Sequence, residues 1–171
     1  MLREEKLNHY IERTLRHSHD VANLLFLISK HLDELSFSVD RYELLKRAVN
    51  HDTDKFSKSF IEAIVDFYDF KDSITEKRRI EARKIIDKHY DSNTHHLKYH
   101  IASNIPLSNE DICEMACDWI SSARKDNINL IENANIWKKN FDKHPEEKEF
   151  LKIYKDKFFQ IFDLLGKYIY N

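Results

Sequence analysis

Residues 48–60 read AVNHDTDKFSKSF, Ala48 to Phe60, and in this stretch one helix ends and another begins. Before it, Leu44, Leu45, Ala48 and Val49 recur at helical spacing, and Asp40 is placed to cap the helix that carries them. After it, Ser57 opens a second run with Phe60, Ile61, Ile64, Val65 and Tyr68 on one side. Between the runs stand four ionisable residues, His51, Asp52, Asp54 and Lys55. Neighbouring residues on a regular helix point about 100° apart. His51 and Asp52 can therefore face one point only where the helix opens, which is where the apolar pattern stops.

Outward from this stretch the chain keeps helical spacing. Leu7, Ile11, Leu15, Val21, Leu24, Leu25, Ile28 and Leu32 make a stripe over about residues 3–34. Thr75 opens a helix with Ile80, Ile85, Ile86 and His89 on one side. Ser108 with Asp111 resembles a capping box, followed by Ile112, Met115, Ala116 and Trp119. A weaker helix follows Asp126 and runs through Trp137, and Pro145 suits the first turn of a last one. That last helix turns Phe150, Ile153, Tyr154, Phe158, Ile161, Leu164 and Leu165 inward. One Gly and two Pro in 171 residues leave little material for the turns that many short strands need. The expectation is an all-α domain, residues 1–171, of six or seven helices.

The bulk charge excludes some function classes. With 28 Lys+Arg against 30 Asp+Glu, the net charge of −2 gives no general attraction to nucleic acid or an anionic membrane. No clear nucleic-acid-binding surface and no membrane-spanning run is visible. Cys113 and Cys117, four apart, form no disulfide framework and read as small core residues. The charged N-terminus MLREEKLNHY is not a signal peptide, so a cytoplasmic setting is expected. Oligomeric state is left open.

The chemistry-bearing residues fall in four places. An imidazole beside a carboxylate, as in His51-Asp52, suits metal ions that accept mixed N/O ligands, although a solvated helix end paired with Lys55 has the same composition. The segment DKHYDSNTHHLKYH holds His89, His95, His96 and His100. His89 lies on the apolar side of its helix, where an unpaired imidazole is costly. His95 and His96 follow in a polar loop, while His100 reads as solvated, as do His9, His31 and His144. In EMACDW, Glu114 and Asp118 are four apart and share a helix side, where they repel unless a cation intervenes. In RHSHD, His17 is taken as inward, with His19 as the fallback.

Taken in order, His17, His51-Asp52 and Asp118 resemble the H…HD…D pattern of the HD superfamily of metal-dependent phosphohydrolases. HDTDK resembles the HD-x-x-K form, in which the lysine faces substrate phosphate. More closely, HDTDKF, HYDSNTHH and EMACDW are similar to the HD-x-S-K-F, H-Y-x-x-N-x-H-H and E-M-x-x-D-W motifs of an HD-like family from phage and bacteria. The sequence departs at Thr53-Asp54, where that family often has a residue and Ser. The likeness covers about residues 14–124, leaving the helices of about residues 127–169 outside it.

The resemblance implies an HD-like helical fold and a metal at His17, His51, Asp52 and Asp118. It further implies His89, His95 and His96 as candidates for a second metal. The expected cofactor is one or two divalent transition metal ions (Mn, Fe, Zn or Co), and the expected substrate a nucleotide or other small phosphate ester. Lys55 is expected at the substrate phosphate, with Asp54 or Glu114 carrying a proton. Two other readings stay open: an HD-type di-iron oxygenase, and a non-catalytic metal-stabilised binding protein.

Overall fold

The computed structural model describes residues 2–70, 72–122, 130–141 and 148–169. Among these the chain is all-α, with no strand. The helices are α1 (Arg3–Lys30), α2 (Arg41–Asn50), α3 (Lys58–Tyr68), α4 (Glu76–Ser92), α5 (Leu97–Ser103), α6 (Asn109–Ser122), α7 (Leu130–Asn140), α8 (Lys148–Lys152) and α9 (Lys155–Tyr168). Two 3₁₀ turns, Leu32–Glu34 and Thr53–Phe56, join α1 to α2 and α2 to α3.

The helix starts follow side-chain chemistry. Asp40 accepts hydrogen bonds from the Tyr42 and Glu43 backbone amides at the start of α2. Ser57 accepts from Phe60 N in α3, and Thr75 from Arg78 N in α4. Ser108 and Asp111 satisfy each other reciprocally: Asp111 N donates to Ser108 Oγ at 3.0 Å and Ser108 N to Asp111 Oδ2 at 2.8 Å. Each such bond occupies an amide that the first helical turn leaves unpaired.

The main core forms where α1, α2, α6 and α9 meet, with Val21, Leu25, Ile28, Leu44, Ile112, Met115, Phe158 and Leu165 fully buried. Trp119 stacks between Trp137 and Phe158, with ring centroids 4.7 and 4.9 Å away. A smaller cluster of Ala63, Ala82 and Ile86 joins α3 to α4. Cys113 and Cys117 are free and buried in the main core.

Several expectations are corrected at the edges. The apolar stripe of α1 is fully buried only from Val21 onward; Ile11 and Leu15 are exposed, although Arg3 and Lys6 reach Asp66 and Asp69 at the end of α3. Val49 (71 % exposed), Tyr68, Ile80 and Ile153 (73 %) also face outward. The six or seven helices become nine among the described residues. His96 starts the additional short helix α5, and a turn at Ile153–Tyr154 divides the last one into α8 and α9. Asp126, His144 and Pro145 lie outside the described residues. No helix among them is long and apolar enough to cross a membrane.

Candidate metal centre

α2 closes at His51, and the backbone then turns through Asp52, whose φ of 58° is left-handed. Asp tolerates that conformation better than most side chains. The turn frees the adjacent imidazole and carboxylate to face the same buried point, and both are almost completely buried. α1 brings His17 to them, α6 brings Asp118 and Glu114, the end of α4 brings His89, and the α4–α5 connection brings His95 and His96.

The two oxygens of Asp52 divide these groups. Oδ2 lies 3.4 Å from Nε2 of both His17 and His51 and 2.6 Å from the Lys55 ammonium. His17 Nε2 is in turn 3.0 Å from Asp118 Oδ1 and 3.3 Å from His51 Nε2. Oδ1 lies 3.4 Å from His89 Nε2 and 3.2 Å from His95 Nε2, and His96 Nε2 is 2.7 Å from His89 Nε2. One ligand atom from each of His17, His51 and Asp118 falls within 4.8 Å of the others, and the same holds for Asp52, His89, His95 and His96.

The far nitrogens of the rings are also partnered. His17 Nδ1 meets Ser121 Oγ at 2.8 Å; that hydroxyl donates to the Asp118 carbonyl, so it accepts from the ring. His51 Nδ1 donates to Glu114 Oε1 at 2.9 Å, and His89 Nδ1 to Asp54 Oδ2 at 2.8 Å. His95 Nδ1 is 3.4 Å from the same Glu114 oxygen. A carboxylate on Nδ1 fixes the proton there and leaves the Nε2 lone pair aimed inward, the arrangement ligating histidines use. Asn93 braces the same corner, donating to Asp54 Oδ2 and to the His89 carbonyl.

Charge in the cluster is strongly perturbed. Burial opposes a charge on His17, but hydrogen bonds to Asp118 and Asp52 outweigh it and raise its pKa to about 9. His95 is likewise raised against burial, to about 10, by Asp52 and Glu114. His96 goes the other way, down to about 3, because burial and the neighbouring His95 charge both disfavour its cation. Burial lowers His89 as well. Burial disfavours a charge on Glu114, but its hydrogen bonds with the rings of His51 and His95 hold its pKa down to about 2. His17 keeps Asp118 ionised, and His17, His95 and Lys55 do the same for Asp52. Lys55 is held charged against burial by Asp52 and Asp118.

A metal fits this donor set. Asp52 Oδ1 and His95 Nε2 are buried and have no hydrogen-bond partner, although they lie only 3.2 Å apart. Once the His95 ring is neutral, with its proton on the outer nitrogen, these two acceptors face each other with no donor between them, an arrangement that is costly unless a cation binds there. Nitrogen and carboxylate donors in these numbers suit zinc, manganese, iron or cobalt.

All ten residues singled out in the sequence therefore gather here, with different placements. His17 enters the cluster, whereas the side chain of His19 is 74 % exposed. Asp54 and Glu114, expected to carry protons, stand behind the rings of His89, His51 and His95. His100, read as solvated, is buried. Its Nε2 faces the Thr94 carbonyl at 2.7 Å and its Nδ1 the Ile105 carbonyl at 3.1 Å. His31 is half-buried and stacks on Tyr168, while His9 is exposed. Sequence reasoning missed Arg47, Thr94 and Ser121. The available signal was spacing: Arg47 lies four residues before His51, and Ser121 three after Asp118, each on the same helix face.

Fold and site together define an all-α protein with a buried His/carboxylate cluster able to hold metal. The chain belongs to a family of unknown function (DUF5662), whose model matches residues 6–159 and so extends past the motifs into α9. No curated protein and no solved structure matches it.

Proposed function

We propose that the chain is a metal-dependent phosphohydrolase of the HD superfamily, acting on a nucleotide or other small phosphate ester. The observation that carries this reading is the division of Asp52, with one carboxylate oxygen toward His17 and His51 and the other toward His89 and His95. His17, His51, Asp52 and Asp118 would hold one ion, and Asp52, His89, His95 and His96 a second. When bound, such ions supply Lewis-acid stabilisation of phosphoryl charge and activation of water at neutral pH.

The chain's own residues do the rest. Glu114 and Asp54 hold protons on the outer nitrogens, so that the inner ones stay free to ligate. Ser121 fixes the His17 ring in the same way. Lys55 keeps its positive charge at the edge of the cluster, where it would offset negative charge on a transferring phosphoryl group. This placement of a cation favours a phosphate ester over a substrate without phosphate.

The test pairs two variants with the wild type. Asp52→Ala removes the carboxylate common to both groups, and its metal content and phosphate release should both collapse. Lys55→Ala should keep its metal, because an ammonium group does not ligate, yet release phosphate more slowly across a panel of nucleotides and phosphate monoesters. Metal content by mass spectrometry and phosphate by colorimetry decide the matter. If the metal-loaded wild type hydrolyses nothing in the panel, the hydrolase reading gives way to the oxygenase or binding readings.

A further inference from the structure

Behind the cluster, away from Lys55, stands Arg47, partly buried on α2 one turn before His51. Its Nη1 lies 2.7 Å from Asp111 Oδ1, 3.0 Å from Glu114 Oε2 and 3.2 Å from Thr94 Oγ1, and its Nε lies 3.3 Å from Glu43 Oε1. The other oxygen of Glu114, Oε1, faces Nδ1 of His51 at 2.9 Å and Nδ1 of His95 at 3.4 Å. One carboxylate thus serves a histidine from each side of Asp52, and its orientation is set from the rear by one guanidinium. Thr94 immediately precedes His95, so the same guanidinium also touches the loop carrying the His95–His96 pair.

We propose that Arg47 is a positioning residue for both halves of the metal centre, acting through Glu114 on His51 and His95 and through Thr94 on the histidine loop. The inference rests on the metal-centre reading above and adds a dependence that reading does not require. A carboxylate that must meet two rings has little freedom to rotate, and Arg47 Nη1, whose guanidinium is held in plane by the Nε contact to Glu43, restricts it from the opposite side. Lysine at this position would keep the charge but lose the second anchor, Nε on Glu43, that fixes the direction of the contacting nitrogen. Disturbing such an outer partner typically costs 10–100-fold in metal affinity.

The test titrates metal-free wild type, Arg47→Met, Arg47→Lys and Glu114→Gln with cobalt(II) alone. It reads affinity, the visible ligand-field absorption and the melting temperature of the metal-free protein. Arg47→Met should weaken cobalt binding on both sides of Asp52 by about 10–100-fold and alter the absorption band. Arg47→Lys should lose less. On a Glu114→Gln background Arg47→Lys should add less loss than it causes alone, because the part that passes through Glu114 is already gone and only the Thr94 route remains. A lower melting temperature with wild-type affinities and spectra would make Arg47 merely structural and overturn the proposal, as would fully additive losses in the double variant. If Arg47→Met does not fold, the Arg47→Lys spectrum and the double variant decide. Wild type that takes up no cobalt would instead overturn the metal centre itself.

Discussion

Asp52 concentrates three features in one residue: a left-handed backbone, a fully buried carboxylate, and histidines on both of its oxygens. Strain of this kind costs of order 1–3 kcal/mol and is retained where the surroundings determine the geometry, as at binding sites. The pH response follows from the rings around it. His17 and His95 are raised to about 9 and about 10, so without metal both rings hold a second proton at pH 7. Neutral imidazole is the ligating form, so metal must displace those protons. From the unperturbed histidine value alone, weakening of metal binding is expected below a pH of about 6.5. The carboxylates move the window upward, and metal affinity should keep rising to about pH 9–10. Calorimetry at pH 7 in buffers of different ionisation enthalpy should register proton release on binding; identical heats across buffers would contradict it. The stability of the metal-free protein has the matching sign. A raised pKa contributes stability that is complete below the unfolded value, about 6.5. That contribution is lost as pH rises through about 9 for His17, so the melting temperature of the metal-free protein should fall across this interval.

At the scale of elements, helix starts were legible because they are local. Asp40, Ser57, Thr75 and Ser108 each bond amides two or three residues away, which spacing alone reveals. Burial was less legible, because it depends on what covers a face. Leu15 and Leu25 belong to one apolar stripe, yet Leu15 is half-exposed and Leu25 is fully buried beneath the meeting helices. Leu25→Ala should cost about 2–5 kcal/mol and Leu15→Ala no more than about 0.5 kcal/mol, read as shifts of the urea midpoint at constant slope. Equal costs would mean that the Leu15 side chain is covered after all. The cluster divides the same way. His51-Asp52, the His95–His96 pair and Asp118 stand out as motifs, whereas Arg47 belongs to none and His100 reads as solvated. Their burial arises from contacts with Thr94, Ile105, Asp111 and Glu114, which the chain brings together only once folded.

Across the whole molecule, the cluster lies where α1, α2, α4 and α6 converge, so its ligand groups come from segments as far apart as His17 and Asp118. The main core beneath it includes α9, and the family match runs through residue 159. The C-terminal helices therefore support α1 and α6 rather than standing apart from the motif-bearing part. On the proposal above, this frame would hold two metal ions, one on either side of the Asp52 carboxylate. Anomalous diffraction from crystals loaded with manganese or zinc tests it most directly. Two peaks are expected, one bounded by His17, His51 and Asp118 and the other by His89, His95 and His96. Each should lie within metal-bond distance of a different Asp52 oxygen, roughly 2.0–2.2 Å for zinc. A single peak, or peaks away from Asp52, would contradict it.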